Sequence, residues 1–276
     1  MFTLNCNGRL LVITKPIVMG ILNLTPDSFF KGSRISSVDE ALQTAEKMLN
    51  EGASIIDIGG QSTRPGSEKI TTEEELNRVI PAIEAIHKRF SDSFMSIDTF
   101  NAEVAKKAIQ AGACIVNDIS SGTIDNNMID AVSVLKVPYI AMHMKGTPAT
   151  MQQLSNYEDV TLDVLDFFIK KTEECKNAGI QDVIIDPGFG FAKNIQQNFT
   201  LLNQLSTLEM LQKPLMVGLS RKSTIYKTLQ ITPEESLNGT TVLNTIALIN
   251  GANILRVHDV KAAMEAITLV EAMKTK

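Results

Sequence analysis

The sequence predicts an α/β protein built as a (β/α)8 TIM barrel with an N-terminal β-hairpin, forming one domain over residues 1–276. Three observations lead there. Short apolar runs alternate strictly with helix-period segments, eight of each, from one end of the chain to the other. The runs are rich in Ile and Val and continuously apolar, as parallel strands buried on both faces must be. The pattern also fills about the 250 residues that such a barrel needs. A doubly wound open sheet would give a similar string, so periodicity alone leaves that alternative standing.

The chain opens on Thr3–Ile13, where Asn7-Gly8 separates two short apolar runs. Both residues tolerate the positive φ of a two-residue turn, so this stretch reads as a hairpin, expected across the bottom of the barrel. The strand-length runs are Ile17–Leu22, Ser54–Ile58, Phe94–Ile97, Cys114–Val116, Tyr139–Met142, Val183–Ile185, Leu215–Val217 and Asn253–Val257. Helical patterns occupy Val38–Asn50, Thr72–Arg89, Ala102–Ala111, Asn126–Leu135, Tyr157–Asn177, Ile195–Leu211, Pro233–Asn250 and Lys261–Met273. Ser37, Thr71 and Asn101 stand where a side-chain oxygen can cap a helix start. Gly52, Gly112, Gly179 and Gly251 follow helices, where a left-handed residue closes the last turn.

Composition narrows the function. With 44% apolar and 21% charged residues the chain is not disordered. A chain of this length buries about three quarters of its unfolded surface, enough for one core without staples. The net charge is −5 and no block of like charge occurs, which argues against nucleic acid or an anionic membrane as partner. No apolar run approaches the ~18 residues that span a bilayer, and residues 1–20 do not follow the signal-peptide pattern. Cys6, Cys114 and Cys175 are far apart and lack metal-site spacing, so they read as small buried hydrophobes. The expected location is the cytoplasm.

In a barrel the chemistry sits at the C-terminal ends of the strands. Here all eight ends carry polar groups: Asn23 and Asp27 after the first, Ser62, Thr63, Arg64 and Pro65 in the second loop, then Asp98, then Asn117 and Asp118. His143 follows the fifth strand, Asp186 the sixth, Lys222 and Ser223 the seventh, and Arg256 and His258 close the series. Asp98, Asn117 and Asp186 suit a flat heterocycle, since a carboxylate accepts two hydrogen bonds from a ring N–H and its exocyclic amine. Arg64, Lys222, Arg256 and His258, with Ser62 and Thr63, form a set of anion donors. A hydrogen-bonding heterocycle that carries phosphate or pyrophosphate fits both sets. The motifs of acyl transfer and NTP hydrolysis are missing.

At these residues the sequence resembles the dihydropteroate synthase family of pterin-binding barrels. The resemblance runs through Met19-Gly-Ile-Leu-Asn-Leu-Thr-Pro-Asp-Ser-Phe29, Asp57-Ile-Gly-Gly-Gln-Ser-Thr-Arg-Pro-Gly66, Ser96-Ile-Asp-Thr99 and Asn117-Asp118-Ile119. It continues in Asp186-Pro-Gly-Phe-Gly-Phe191, Gly218-Leu-Ser-Arg-Lys-Ser223 and Arg256-Val-His258. It implies a transferase of folate biosynthesis, the target of sulfonamides, which joins 6-hydroxymethyl-7,8-dihydropterin diphosphate to 4-aminobenzoate and releases pyrophosphate. By the same resemblance Asp98, Asn117, Asp186, Lys222 and Met142 line the pterin pocket. Asn23, Thr63, Arg256 and His258 anchor pyrophosphate, with Asn23 also near a Mg²⁺ ion. Ser62, Thr63, Arg64, Pro65, Phe191, Lys222 and Ser223 face 4-aminobenzoate, and Asp27 belongs to the closing first loop. Asp98, Lys222, Arg64 and Asp27 are the catalytic set that it implies, and a homodimer is the expected assembly.

One departure stands out. Many relatives continue the first loop Asp-Ser-Phe-Ser-Asp-Gly, whereas this chain has Asp27-Ser28-Phe29-Phe30-Lys31-Gly32, with Lys31 in place of a carboxylate. Two rivals share the pterin floor: a corrinoid methyltransferase, which needs no pyrophosphate anchors, and a non-catalytic pterin binder.

Overall fold

The structure, a computed structural model, describes residues 1–24, 34–62 and 69–274. It opens on the expected hairpin, β1 (Phe2–Cys6) and β2 (Arg9–Ile13), paired antiparallel from Phe2↔Ile13 to Cys6↔Arg9. Asn7 and Gly8 turn it at φ 54° and 85°, the left-handed pair that a two-residue turn of primed type needs. Eight parallel strands follow: β3 (Ile17–Asn23), β4 (Ile55–Gly59), β5 (Phe94–Asp98), β6 (Ile115–Asp118), β7 (Tyr139–Met142), β8 (Val183–Asp186), β9 (Met216–Val217) and β10 (Ile254–Val257). Their order around the sheet is β8-β7-β6-β5-β4-β3-β10-β9. A parallel bridge from Ile185 to Leu215, with Ile185 N donating to Pro214 O at 3.0 Å, brings β9 back to β8 and closes the ring. The open-sheet alternative is thereby removed.

Between the strands run α1 (Arg34–Asn50), α2 (Thr72–Arg89), α3 (Ala102–Ala111), α4 (Met128–Leu135), α5 (Val160–Asn177), α6 (Ile195–Asn203), α7 (Ser223–Leu229), α8 (Leu237–Ile249) and α9 (Val260–Lys274). Thr71 and Asn101 cap α2 and α3 through their side-chain oxygens. Gly52, Gly112, Gly179 and Gly251 all have positive φ after helices, as expected. Helix α1 begins three residues before Ser37, at Arg34, so Ser37 falls in its first turn and not at its N-cap position. The long Ile195–Leu211 pattern breaks at Gln204 and goes on as a 3-10 segment, Leu205–Leu211. Helix α8 starts later than expected, because residues 233–236 form a turn in which Ser236 N donates to Pro233 O. Helix α7 was not foreseen at all.

Alternation along each strand divides the molecule into two cores. Outward residues such as Val18, Ile56, Ile97, Val116, Ile185 and Leu255 pack with the helices. Inward residues Met19, Ile55, Ile115, Ile140, Ile184, Met216 and Ile254 form a second cluster with Leu4, Cys6, Leu11 and Ile13 of the hairpin. The hairpin therefore plugs the N-terminal end of the barrel. Polar ties fasten it: Asn5 N donates to Asp182 Oδ2 at 2.7 Å, and Arg9 donates to the Ser91 and Ser93 carbonyls while lying 4.8 Å over the Phe94 ring. Cys6, Cys114 and Cys175 are buried free thiols, as expected.

Leu4, 2% exposed, stands in this plug. Leu4→Ala is expected to lower unfolding stability by about 2–5 kcal/mol in urea titration, the cost of a core cavity. A loss within the ~0.5 kcal/mol of an ordinary surface substitution would show that the hairpin is an appendage.

Candidate active site at the C-terminal end of the barrel

One step further along the inward face, the strands change character. Two residues beyond Ile55 comes Asp57, beyond Ser96 comes Asp98, beyond Ile115 comes Asn117, and beyond Ile184 comes Asp186. Beyond Ile140 comes Met142, beyond Met216 comes Gly218, and beyond Ile254 comes Arg256. The period of two keeps all of these inside the barrel. Register staggers them around the barrel, with Asp57 opposite Ser96, Asp98 opposite Asn117, Asn117 opposite Ile140 and Met142 opposite Asp186, so side-chain contacts join what the strand pairing offsets.

The layer is tied by charge. Arg256 Nε donates to Asp57 Oδ2 at 2.6 Å and its Nη2 to Asp98 Oδ2 at 2.5 Å. Asn117 Nδ2 donates to the same Asp57 oxygen at 3.1 Å, while Asp57 Oδ1 is buried without a partner. Burial lifts the Asp98 carboxyl to about 7; Arg256 pulls it down and Asp57 pushes it up. Burial raises Asp186 too, against the pull of Lys222 and of Gly188 N, which donates to Asp186 Oδ1 at 2.8 Å. Burial works against the Arg256 charge, but Asp57 and Asp98 outweigh it and hold the guanidinium above its ordinary pKa.

Lys222 enters from the turn before α7. Its Nζ donates to the Phe189 carbonyl and lies 4.9 Å from the Phe191 ring centre, and burial lowers it to about 8. Two glycines make room for it. A methyl group at Gly190 would stand 3.2 Å from Lys222 Cδ, and one at Gly218 would stand 3.7 Å from Nζ. Across the mouth, Phe100, Ile119 and Met142 form a small apolar cluster with Ile124, Met144 and Phe191. The arrangement is a pocket with a charged, hydrogen-bonding floor and an apolar wall, suited to one face of a flat polar ring.

Of the expected site residues, Asp98, Asn117, Asp186, Lys222, Arg256, Met142 and Phe191 come together here. The floor and the anion donors do not form separate sets, because Lys222 and Arg256 stand among the carboxylates. Asn23 ends β3, and a methyl group at Gly59 would fall between Asn23 Oδ1 at 3.6 Å and Asp98 Oδ2 at 3.7 Å. His258 lies at the exposed rim with Nδ1 3.0 Å from Ser220 Oγ, and Ser223 opens α7. Ser62 is half-buried at the end of the described second-loop residues. Asp27, Lys31, Thr63, Arg64 and Pro65 lie outside the described residues.

Two strand-end groups turn out to be framework. Asp118 accepts from Ser120 N, Ser120 Oγ, Gly122 N and Tyr139 OH at 2.7–2.8 Å, which shapes the turn after β6. Buried His143 contacts Lys193 Nζ through Nδ1 at 2.9 Å and meets the Phe167 ring edge-on. Arg221, beside Lys222, spends its guanidinium on both oxygens of Asp259. Asp57 is the floor residue that strand-end reading passed over, because it sits inside an apolar run. Its signal was available: it stands two residues after Ile55, on the inward face.

Comparison with known proteins agrees with this geometry. The sequence profile of the pterin binding enzymes matches residues 19–258. The chain is similar to the dihydropteroate synthase of Escherichia coli K12, 45% identical over 267 residues, covering 96% of this chain and 94% of the relative. It superposes on Yersinia pestis dihydropteroate synthase, solved with a sulfonamide drug complex, with TM-score 0.93, 42% identity and 100% coverage of both chains. A Xanthomonas albilineans dihydropteroate synthase in complex with 7,8-dihydropteroate gives TM-score 0.89 at 38% identity, covering 99% of each chain.

If burial is what raises Asp98, removing its neighbouring cation must raise it further. Carbon-13 titration of the Asp98 carboxyl is expected to show a midpoint near 7, moving upward in Arg256→Met. A downward move towards the ordinary carboxylate range would refute that balance of forces.

Proposed function

The chain belongs to the dihydropteroate synthases among the pterin binding enzymes, and from that membership we propose how its residues share the work. The reaction joins 6-hydroxymethyl-7,8-dihydropterin diphosphate to 4-aminobenzoate. The methylene carbon–oxygen bond breaks and its electron pair leaves with pyrophosphate. The amine lone pair forms the new carbon–nitrogen bond, and the nitrogen gives up a proton. The product is 7,8-dihydropteroate. The observation that carries the residue assignment is the set of inward strand-end groups, where carboxylates, an amide and two cations share one buried floor.

In this reading Asp98, Asn117, Asp186 and Lys222 hold the pterin edge, and Met142 lies against its face. Carboxylates accept from the ring N–H and amine groups, while the Asn117 amide and the Lys222 ammonium supply donors. Asp98 also faces positive charge that spreads into the ring as the methylene bond weakens, which is where a fixed anion is most useful. Arg256, His258, Asn23 and Thr63 take the pyrophosphate end. Ser62, Thr63, Arg64, Pro65, Phe191, Lys222 and Ser223 face 4-aminobenzoate, with Asp27 on the closing first loop. The neutral arylamine needs no strong base, so a nucleophile–base pair is not required.

Mg²⁺ fits this donor set. The described residues contain no group of three or more His, Cys, Asp or Glu side chains that could hold a metal. Asn23 offers a hard amide oxygen at the proposed pyrophosphate end, and Mg²⁺ takes oxygen ligands, keeps several waters and relies on substrate phosphates rather than an all-protein cage. When bound there it would neutralise charge on the leaving pyrophosphate. The place of action we assign is the cytoplasm, in keeping with the buried free thiols. None of the described helices is long and apolar enough to cross a membrane.

The test is a pyrophosphate-release assay with the pterin diphosphate and Mg²⁺, run with and without 4-aminobenzoate. Release that depends on the arylamine, with dihydropteroate found by mass, is expected. Chelation should abolish it, and Asp98→Asn should lower turnover about 10²–10³-fold, the size seen when one transition-state contact is lost, with a smaller effect on pterin affinity. Full turnover in Asp98→Asn would remove its charge-stabilising role, and full activity after chelation would remove the metal.

A homodimer completes the proposal. Val242, Ile246 and Ile249 recur along one side of α8 and are 49%, 37% and 58% exposed, and Leu269 and Met273 of the neighbouring α9 are 70% and 73% exposed. Such a stripe suits an isologous contact. Light scattering should give twice the chain mass for the wild type and the single mass for Val242→Glu. A monomeric wild type would end this part of the proposal.

A further inference from the structure

A lysine that the reaction as described does not use lies behind the loop that follows β8. Lys193 is buried, and its Nζ stands 2.9 Å from His143 Nδ1, 3.1 Å from the Gly188 carbonyl, 3.1 Å from the Phe191 carbonyl and 3.4 Å from the His143 carbonyl. An ammonium taken out of water needs acceptors for its three protons, and these partners supply them; burial still lowers Lys193 to about 7, against the pull of Asp186. Burial holds His143 down to about 2, so its ring is neutral and the Nδ1 lone pair is free to accept, with the ring proton on Nε2.

The partners come from two places. His143 follows β7, whereas Gly188 and Phe191 are the two ends of the turn after β8. That turn is a demanding piece of backbone. Gly188, Gly190 and Ala192 have φ of 69°, 80° and 49°, and a methyl group at Gly188 would come within 2.1 Å of the His143 carbonyl oxygen. Asn198 supports it from the other side, accepting from Gly190 N at 2.7 Å and donating to the Lys193 and Asn194 carbonyls. On its pocket face the same turn supplies the Phe189 carbonyl to Lys222 Nζ, lays the Phe191 ring beside that ammonium, and gives Gly188 N to Asp186.

We propose that Lys193 is a positioning residue: it clamps the Gly188–Phe191 turn to the end of β7 and so fixes where Lys222 and Phe191 stand in the pocket. The proposal rests on the reading above that these two face the substrates. A hydrophobic side chain of similar length would fill the same space, but it could not hold two carbonyls and an imidazole at once. Without the clamp the turn loses the ties at both ends. Phe191 and the carbonyl that orients Lys222 then move together, while Asp98 and Asn117, on β5 and β6, keep their places.

Lys193→Met and, independently, Asn198→Ala test this in the full-length enzyme, with folding checked by circular dichroism and thermal melting. The wild type is assayed first. If it shows no arylamine-dependent release, the functional reading has failed and the clamp falls with it. Given that activity, the expected signature in Lys193→Met is a KM for 4-aminobenzoate raised about tenfold or more, as small displacements of aligned groups produce. The KM for the pterin diphosphate should rise less. Asn198→Ala should shift in the same direction by a smaller factor. A folded Lys193→Met with both KM values and kcat unchanged would overturn the proposal while leaving the functional reading intact. Should Lys193→Met fail to fold, Asn198→Ala decides: a selective rise in KM for the arylamine supports the clamp, and unchanged constants overturn it.

Discussion

Arg256, held between Asp57 and Asp98, is the interaction on which the pocket depends. Two carboxylates from adjacent strands face inward with little water around them, and Coulomb repulsion between such neighbours rises steeply at low dielectric. One guanidinium reaches both, through Nε and Nη2. Its planar fork suits the task in a way that a lysine would not. Because β10 and β4 flank β3 on its two sides, the contact spans the first barrel strand and joins ends of the chain that only barrel closure brings together.

The plug beneath gives that interaction its strength. Leu4, Cys6, Leu11 and Ile13 close the lower end of the barrel against an inward layer of Ile and Met side chains. The charged layer therefore faces solvent only at its mouth. This single-sided exposure explains why burial is the largest influence on Asp98, Asp186 and Lys222 alike. Fully ionised, Asp57, Asp98 and Asp186 set three negative charges against the two positive charges of Lys222 and Arg256. The floor carries one surplus negative charge, and the Asp57 carboxylate adds to burial in raising Asp98.

Much of this was legible along the chain, and what was not has a physical reason. Asn7-Gly8, the caps at Thr71 and Asn101, and the glycines after four helices are decided by local backbone chemistry, which a short window of sequence contains. Ser37 misled because a capping residue type also occurs inside a first turn. Helix α7 escaped because Ser223–Leu229 is only seven residues, too short to show a period. Asp57 and Lys193 escaped for a deeper cause. The meaning of Asp57 comes from Arg256, 199 residues away, and that of Lys193 from His143, 50 residues away. A buried charge is defined by its partners, and alternation marks Asp57 as inward without showing what it meets there, while partners so distant leave Lys193 no local trace. Family resemblance could name the residues proposed to meet substrate, but Lys193 stands one step behind them.

The surplus charge also bears on catalysis under the proposed assignment. In the resting pocket Asp98 sits near the point of sharing a proton at neutral pH, a poor arrangement for an anion and a tolerable one for an acid. A pterin edge offers N–H donors that favour the ionised form. As the methylene bond breaks, the ring acquires positive charge within reach of the same floor. A carboxylate that burial disfavours as an anion before the reaction is then favoured as one at the transition state. Stabilisation of this kind accelerates chemistry because it is larger in the transition state than in the bound substrate. A floor with equal numbers of acids and bases would bind the pterin comfortably and have less left to gain when the bond breaks.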